Sequence, residues 1–559
     1  MEKVAACSFA IFVTATVALS AANPPQAALD AIDKDGLLQH IKVLGSDKFE
    51  GRAPGSKGEE ESVNYITAQF KDLGLKPGNP NGTYTQEVPM AGILTKPTAQ
   101  FTVGEKEIEL QSPNEFVAFT SRITPEIKVE DSEMVFVGYG IVAPEYGWDD
   151  FKGVDVKGKT VVFLINDPPV PDPNDASKLD PKMFKGKAMT YYGRWSYKYE
   201  IAAEKGAAAA LIVHETIPAA YPWSVVENSN AKQNFVIDAP DKNMKTVGVR
   251  SWITLQKAGK LFAAAGKNYD ELKTAALSKD FQPVSLGAKA SFVLQNEIHH
   301  FKSHNVVGRL EGSDPQKKDE YIIYSAHWDH LGRNPKLQGD QIYNGALDNG
   351  SGVASILEIA QAFTKLPQPP PRSVLFMATT AEESGLLGAR YYAENPLYPL
   401  DHTLADINVD GVNPWGKTRD IEDLSAGQST LDELLAQAAT HTGRMAKPNS
   451  EPEKGSFFRA DNFEFAKVGV PALYTGSKPK DYLGRPSDYG QKKSDDYTLH
   501  HYHQVSDEVN PAWDLSGAIE DVRLLFEVGY EVANADQYPT WATGSEFKAR
   551  RDAMMSGNQ

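Results

Sequence analysis

Among 559 residues there is one cysteine, Cys7. Disulfides therefore cannot hold this fold together, although export does not require them. Positive charge is in deficit as well: 57 Lys and Arg stand against 74 Asp and Glu, a net charge of −17. A field of that sign repels phosphate backbones, so no nucleic-acid partner is expected. Beyond the N-terminus no stretch approaches the ~18 apolar residues of a membrane-spanning helix. Hydrophobic residues at 41% and charged residues at 23% are ordinary globular usage, which excludes disorder or coiled coil along the whole chain. At about 150 residues per domain, the length fits three or four units, or one large α/β domain with an insert.

The N-terminus reads as an address. Lys3 precedes a mostly apolar run from Val4 to Leu19, and small residues follow from Ser20 to Ala22. That layout predicts a signal peptide over residues 1–22, cleaved between Ser20 and Ala28, with no stable membrane insertion afterwards. Cys7 lies ahead of the apolar run, the wrong place for a lipoprotein box. Export to a periplasm or to the medium is the expectation.

Apolar spacing of three and four residues predicts helices between 35 and 75: Leu37, Leu38, Ile41 and Leu44, then Val63, Ile66, Phe70 and Leu73. Gly74 and Pro77 stop the second. Short alternating stretches between 97 and 128 read as strands. Residues 130–285 mix β-branched runs such as Val161-Val162-Phe163-Leu164 with a helix over 201–207, without any cluster of His or paired carboxylates. This block reads as a non-catalytic, β-rich α+β insert. It separates an N-terminal part, 30–129, from the main domain, 290–540. In the main domain strands and helices alternate: Tyr321–Tyr324, Gly352–Phe363, Val374–Ala378, Leu386–Glu394, Leu404–Val409, Leu431–His441, Val470–Tyr474 and Leu515–Ala533. The fold class expected is α/β, a mostly parallel central sheet with helices on both faces. Lys478 to Gln504 reads as a long polar loop.

Five segments place imidazoles and carboxylates at or beside strand ends: Ser325-Ala326-His327-Trp328-Asp329-His330, Ala346-Leu347-Asp348-Asn349-Gly350, Thr380-Ala381-Glu382-Glu383-Ser384, Asn408-Val409-Asp410-Gly411 and Tyr502-His503-Gln504-Val505-Ser506-Asp507. Taken singly, each has an ordinary explanation: a loop histidine, a helix cap, acids at a helix start, a turn. Together they are the donor set that a pair of divalent ions requires, and open α/β sheets gather such loops on one rim.

That joint pattern resembles the two-zinc exopeptidases of metallopeptidase family 28. Glu50-Gly51-Arg52-Ala53-Pro54-Gly55 is similar to the family's N-terminal segment, and Phe136-Val137-Gly138-Tyr139-Gly140 with Gly158-Lys159-Thr160 to its inserted protease-associated domain. The resemblance implies two Zn2+ per chain. Asp348 would bridge them, His327 and Asp410 completing one site, Glu383 and His503 the other. Many relatives have proline where Val505 stands; His503 is chosen over His500 and His501 because Tyr502 precedes it and Asp507 follows. Asp329 would accept the other N–H of the His327 imidazole. Glu382 would be the general base for a water shared by the two ions.

Peptides are the substrates so implied, trimmed at the amino end. Carboxypeptidase, glutaminyl-cyclase and inactive-receptor alternatives stay open, as do side-chain preference and oligomeric state. Tyr474 reads equally as a substrate-carbonyl donor or a core tyrosine, and Trp328 and Trp415 equally as pocket walls or loop anchors. Asp461 is expected to be structural. Arg485, Lys492 and Lys493 are candidates for a carboxylate clamp.

Overall fold

The computed structural model describes residues 23–557; the expected signal peptide, 1–22, lies outside the described residues. Helix α1 (Lys34–Leu44) is started by Asp33, whose side chain accepts the Asp35 and Gly36 amides, and it buries Leu37, Ile41 and Leu44. Helix α2 (Lys57–Asp72) is capped in the same manner by Ser56 and buries Ile66 and Phe70. These are the two helices expected between 35 and 75.

Strand β1 (Thr85–Val103) is 19 residues long. It is followed by β2 (Phe116–Phe119), β3 (Glu126–Phe136), β4 (Thr160–Leu164), helix α3 (Trp195–Glu204), β5 (Ala209–His214), β6 (Val249–Thr254) and helix α4 (Leu255–Ala264). Strands β3, β4, β5 and β6 pair in parallel, with β2 antiparallel at the edge. Strand β7 (Val284–Leu310) returns antiparallel to β1, from Ala288 opposite Val103 to Val306 opposite Thr85. Nineteen paired residues at about 3.3 Å each make a ribbon some 60 Å long, enough to cross two cores.

The second half supplies β8 (Tyr321–His327), α5 (Ser351–Thr364), β9 (Ser373–Thr379), α6 (Leu387–Glu394), β10 (Thr403–Asn408), β11 (Asp420–Asp423), α7 (Leu431–His441), β12 (Met445–Pro448), β13 (Ala472–Gly476), α8 (Tyr489–His500) and α9 (Ser516–Asn534). The strand order is β12-β11-β13-β10-β8-β9-β7-β3-β4-β5-β6-β2. Strands β9, β8, β10 and β13 are parallel, and β7 borders β9 antiparallel. Side chains alternate along β8: Ile322, Tyr324 and Ala326 join a core with α1, α5 and α9, while Tyr321 and Ile323 join another with α6. Both faces are covered, as near-continuous apolar parallel strands require. The mostly parallel α/β fold expected from the sequence is what the chain forms.

Three expectations change. The alternating strands read between 97 and 128 are in part the end of β1, which begins twelve residues earlier, at Thr85. The second core takes residues from Phe101 to Leu294, on both sides of the 130–285 span expected for the insert. The reason is that β1 and β7 pass from one core into the other, so neither boundary coincides with a turn. The loop read over 478–504 contains α8, whose sequence lacks an apolar stripe; Tyr497 is its principal buried anchor. No helix among the described residues is long and apolar enough to cross a membrane.

Candidate metal centre and its cleft

The carboxyl ends of four adjacent parallel strands open onto one rim. His327 ends β8; Glu382 and Glu383 follow β9; Asp410 follows β10; Tyr474 lies in β13. Asp348 comes from the loop before α5, and His503 from the turn after α8. The structure brings all five expected ligands together. Asp348 directs Oδ1 to His327 Nε2 at 3.4 Å and Oδ2 to His503 Nε2 at 3.3 Å. His327 Nε2 stands 3.3 Å from Asp410 Oδ1, and His503 Nε2 stands 3.1 Å from Glu383 Oε2.

These separations suit a metal as well as they suit hydrogen bonds. Donors at about 2.0–2.1 Å around a tetrahedral Zn2+ stand about 3.3 Å from one another. The four imidazole–carboxylate contacts, 3.1–3.4 Å, have that spacing. The donor chemistry agrees, since imidazole and carboxylate together suit zinc and its divalent neighbours. The residues present therefore fit two divalent ions that share Asp348.

Buried charge makes the same point. Burial alone would push Asp348 up, but His327 and His503 hold it well below the usual carboxylate range. Burial also opposes charge on Glu383, which His503 and His330 hold low. His503 rises to about 10 because Glu383 and Asp348 outweigh its burial. Burial pushes Glu382 well above its usual range, opposed by His327 and reinforced by Asp410, Glu383 and Asp461. Its Oε2 is 3.9 Å from His327 Nε2, beyond the ligand spacing, and the side chain faces the cleft.

The loops are locked from behind. Gly345 has φ +55°, and a Cβ there would meet the Asp348 carbonyl at 2.2 Å and the His330 ring at 2.6 Å, so only glycine fits. Asn349 ties two loops together: Nδ2 donates to the Val409 carbonyl, and Oδ1 accepts the Gly352 and Gly411 amides. Asp507 accepts the Leu347 and Asp348 amides at 3.2 and 3.0 Å. Arg52, fully buried, donates to the Leu44, Trp328, Asn344 and Gly345 carbonyls. The N-terminal motif thus acts as a strut beneath the metal loops.

Several expected roles are corrected. The Asp329 carboxylate does not take the His327 N–H: Nδ1 lies 3.1 Å from the Asp329 carbonyl oxygen and 3.7 Å from Oδ1. The carboxylate instead accepts the amides of Glu382 at 3.0 Å and Glu383 at 3.4 Å, which fixes the loop bearing both acids. Two residues after the histidine, the chain has already turned toward β9. Asp461 accepts from Thr379 Oγ1 beneath the site. Tyr474 Oη donates to Asp410 Oδ2 at 3.4 Å and lines the cleft. Trp328 is no pocket wall; it is fully buried, and its Nε1 donates to the His304 carbonyl. Trp415 packs near Tyr497 outside the cleft lining. Lys492 pairs with Asp488, and Arg485 and Lys493 lie over Tyr489, so none of the three forms a clamp there.

Two residues carry more than the sequence assigned them. His330, buried, places Nδ1 2.7 Å from Glu383 Oε1. Its signal was present: a second histidine three residues after the first, in the same strand-end segment. Tyr502 stacks on the His503 ring, centroids 3.9 Å apart, and faces the cleft. That cleft has a volume of about 270 Å³.

Residues 305–526 match the family model described as peptidase family M28. The vacuolar membrane protease of Coccidioides posadasii (strain RMSCC 757 / Silveira) is 24% identical over 237 residues, 39% of this chain and 21% of that protein. Aminopeptidase NAALADL1 of Mus musculus is 33% identical over 129 residues, 22% of this chain and 16% of its own length. The chain thus spans about a fifth of the length of these curated relatives. An aminopeptidase from Aneurinibacillus sp. strain AM-1 superposes with a TM-score of 0.49 at 18% identity, covering 92% of this chain and 97% of that one. The segment that matches the peptidase family M28 model includes every one of the donors His327, Asp348, Glu383, Asp410 and His503.

Proposed function

We propose that the protein is a two-zinc metallo-exopeptidase that removes residues from the amino ends of peptides. The observation that carries this reading is the Asp348 carboxylate, one oxygen toward each imidazole, at the centre of a set spaced for two ions. His327 and Asp410 would hold one ion, Glu383 and His503 the other. Bound zinc would polarise the scissile carbonyl and acidify a water.

The rest of the chemistry belongs to the side chains. Glu382 lies beside the donors and faces the cleft, positioned to take the proton of the attacking water and return it to the leaving amine. Asp329 keeps it there by holding its backbone amide. The Tyr474 hydroxyl, at the cleft wall, would turn from its long 3.4 Å bond to Asp410 toward an oxygen that gains charge once Asp410 holds an ion. Export through residues 1–22 is part of the proposal and would place the activity outside the cytoplasm.

A panel of peptides with free or blocked termini, incubated with zinc-loaded protein, tests the reading. Trimming is expected from a free amino end and should stop on N-acetylation. Glu382→Gln should lose about 10²–10⁴ in rate while retaining both metals. Wild-type turnover by that variant, or release only from the carboxyl end, would contradict the proposal.

A further inference from the structure

Charge inside the cleft is unevenly satisfied. Apart from the metal donors and Glu382, two acids line it, and both are occupied. Glu422 Oε1 accepts the Ser450 amide and hydroxyl at 2.9 and 2.7 Å, and Glu451 pairs with Lys454 at 2.7 Å. The cations are in surplus. Lys478, Lys480 and Arg459 all line the cleft, and none makes an ion pair among the described residues.

Lys478 is the most constrained of the three. Its ammonium lies 4.9 Å over the Tyr497 ring and 5.6 Å over Tyr502, and its one side-chain hydrogen bond goes to Thr498 Oγ1 at 3.3 Å. The rings orient the ammonium, yet they leave donors unused on a group that carries three. Lys480 and Lys454 are near enough to repel it, while Asp348 and Asp410 attract it from the metal centre. Those two carboxylates are committed to the ions in the proposed function. Once they are neutralised, like charges remain gathered beside the reacting centre, an arrangement that a bound anion would stabilise.

We infer that Lys478, with Lys480 and Arg459, forms a carboxylate subsite beside the metal centre, and that the preferred substrates are peptides beginning with Glu or Asp. This deepens the exopeptidase reading and rests on it. A carboxylate is the anion a peptide supplies, and paired N–H donors recognise it through charge-assisted hydrogen bonds. Lys478 follows the end of β13 by two residues, and β13 carries Tyr474, whose hydroxyl reaches Asp410. Lys478, Tyr474, Asp348 and Asp410 line one cleft, so a peptide held at the ions would have the ammonium within the same walls. The same subsite could receive the terminal carboxylate of a dipeptide, and the test separates the two sources.

Four probes suffice: Glu-Ala amide, Gln-Ala amide, Ala-Ala amide and Ala-Ala with a free carboxylate. Cleavage of each by zinc-loaded wild type, Lys478→Met and Lys480→Gln gives kcat/KM. Calorimetry on the zinc-loaded Glu382→Gln background gives binding without turnover. The Met side chain keeps an apolar stem of similar length, and Lys480→Gln provides a second change, at a half-buried position of the same cleft. Wild type should favour Glu-Ala amide over Gln-Ala amide by roughly tenfold or more in both measurements. That ratio should fall toward one in Lys478→Met and partway in Lys480→Gln. A preference for free over amidated Ala-Ala, lost in Lys478→Met, would overturn the assignment to the first side chain and place the terminal carboxylate in the subsite. A ratio near one in wild type, or one unchanged in Lys478→Met, would overturn the subsite. Tenfold tighter binding of the Glu probe with no cleavage of any peptide would uphold the subsite and overturn the exopeptidase reading.

Discussion

Asp507 holds Asp348 from behind: its Oδ2 accepts the Asp348 backbone amide at 3.0 Å while Oδ1 accepts that of Leu347 at 3.2 Å. The residue that faces both imidazoles is thus aimed by a second carboxylate that touches neither. Groups that orient a ligand in this way typically contribute 10–100-fold to metal affinity. Asp507→Ala is expected to weaken zinc binding by about that factor, while Asp507→Asn, which keeps one acceptor oxygen, loses less. Competition with a fluorescent chelator measures it. Equal zinc affinity in wild type and Asp507→Ala would show that the Asp348 loop holds itself.

His330 and Glu383 give a second, separable expectation. Their 2.7 Å contact is shorter than the 3.1–3.4 Å spacing of the ligand pairs, a close pairing of ring nitrogen and carboxylate without the alignment of a hydrogen bond. His330 is therefore a partner of Glu383 through Oε1, leaving Oε2 toward His503. His330→Leu should lower the affinity of one zinc of the two by about 10–100-fold, and His330→Asn, whose amide replaces Nδ1, should recover much of it. Loss of both ions together, or the same loss in Asn and Leu variants, would assign His330 to packing alone.

Away from the metal centre, Glu358 on α5 predicts a pH effect. Its Oε2 accepts the Asp33 amide at 3.0 Å, and burial, reinforced by Asp33, raises its carboxyl to about 7. His40 is the one imidazole facing it, 3.9 Å away, and burial lowers that group's own pKa. A raised carboxyl pKa means that the folded state binds the extra proton. Its stability contribution is complete below the unfolded value near 4.5 and is lost as pH rises through about 7. Glu358→Gln keeps an acceptor for Asp33 and removes the titration. Thermal melting should show the variant gaining on wild type between pH 5 and pH 8, by on the order of 2 kcal/mol. A difference independent of pH would contradict the assignment.

Much of this was legible before any coordinates. Parallel strands buried on both faces leave continuous apolar runs, so β8, β9 and β10 announced themselves, and acids or imidazoles just past their ends marked the rim. What could not be read has physical causes. Helix α8 presents no apolar stripe, because it is held chiefly by Tyr497 rather than by a packed face. The partners of Asp329 are backbone amides 53 and 54 residues away, and no spacing rule reports a contact with a loop amide. Arg52 was recognisable as part of a motif, but its four carbonyl partners lie in three separate segments. The sequence offers Arg485, Lys492 and Lys493 in α8 and its flank as the cations, but Lys492 is paired, and the cations that line the cleft, Lys478 and Lys480, follow β13.

The central claim is that one carboxylate, Asp348, joins two ions. Anomalous diffraction at the zinc edge from zinc-loaded crystals tests it directly. Two peaks roughly 3.5–4 Å apart are expected, one on each side of the Asp348 carboxylate, with His327 and Asp410 at the first and Glu383 and His503 at the second. A single peak, or a pair that Asp348 does not touch, would contradict the account.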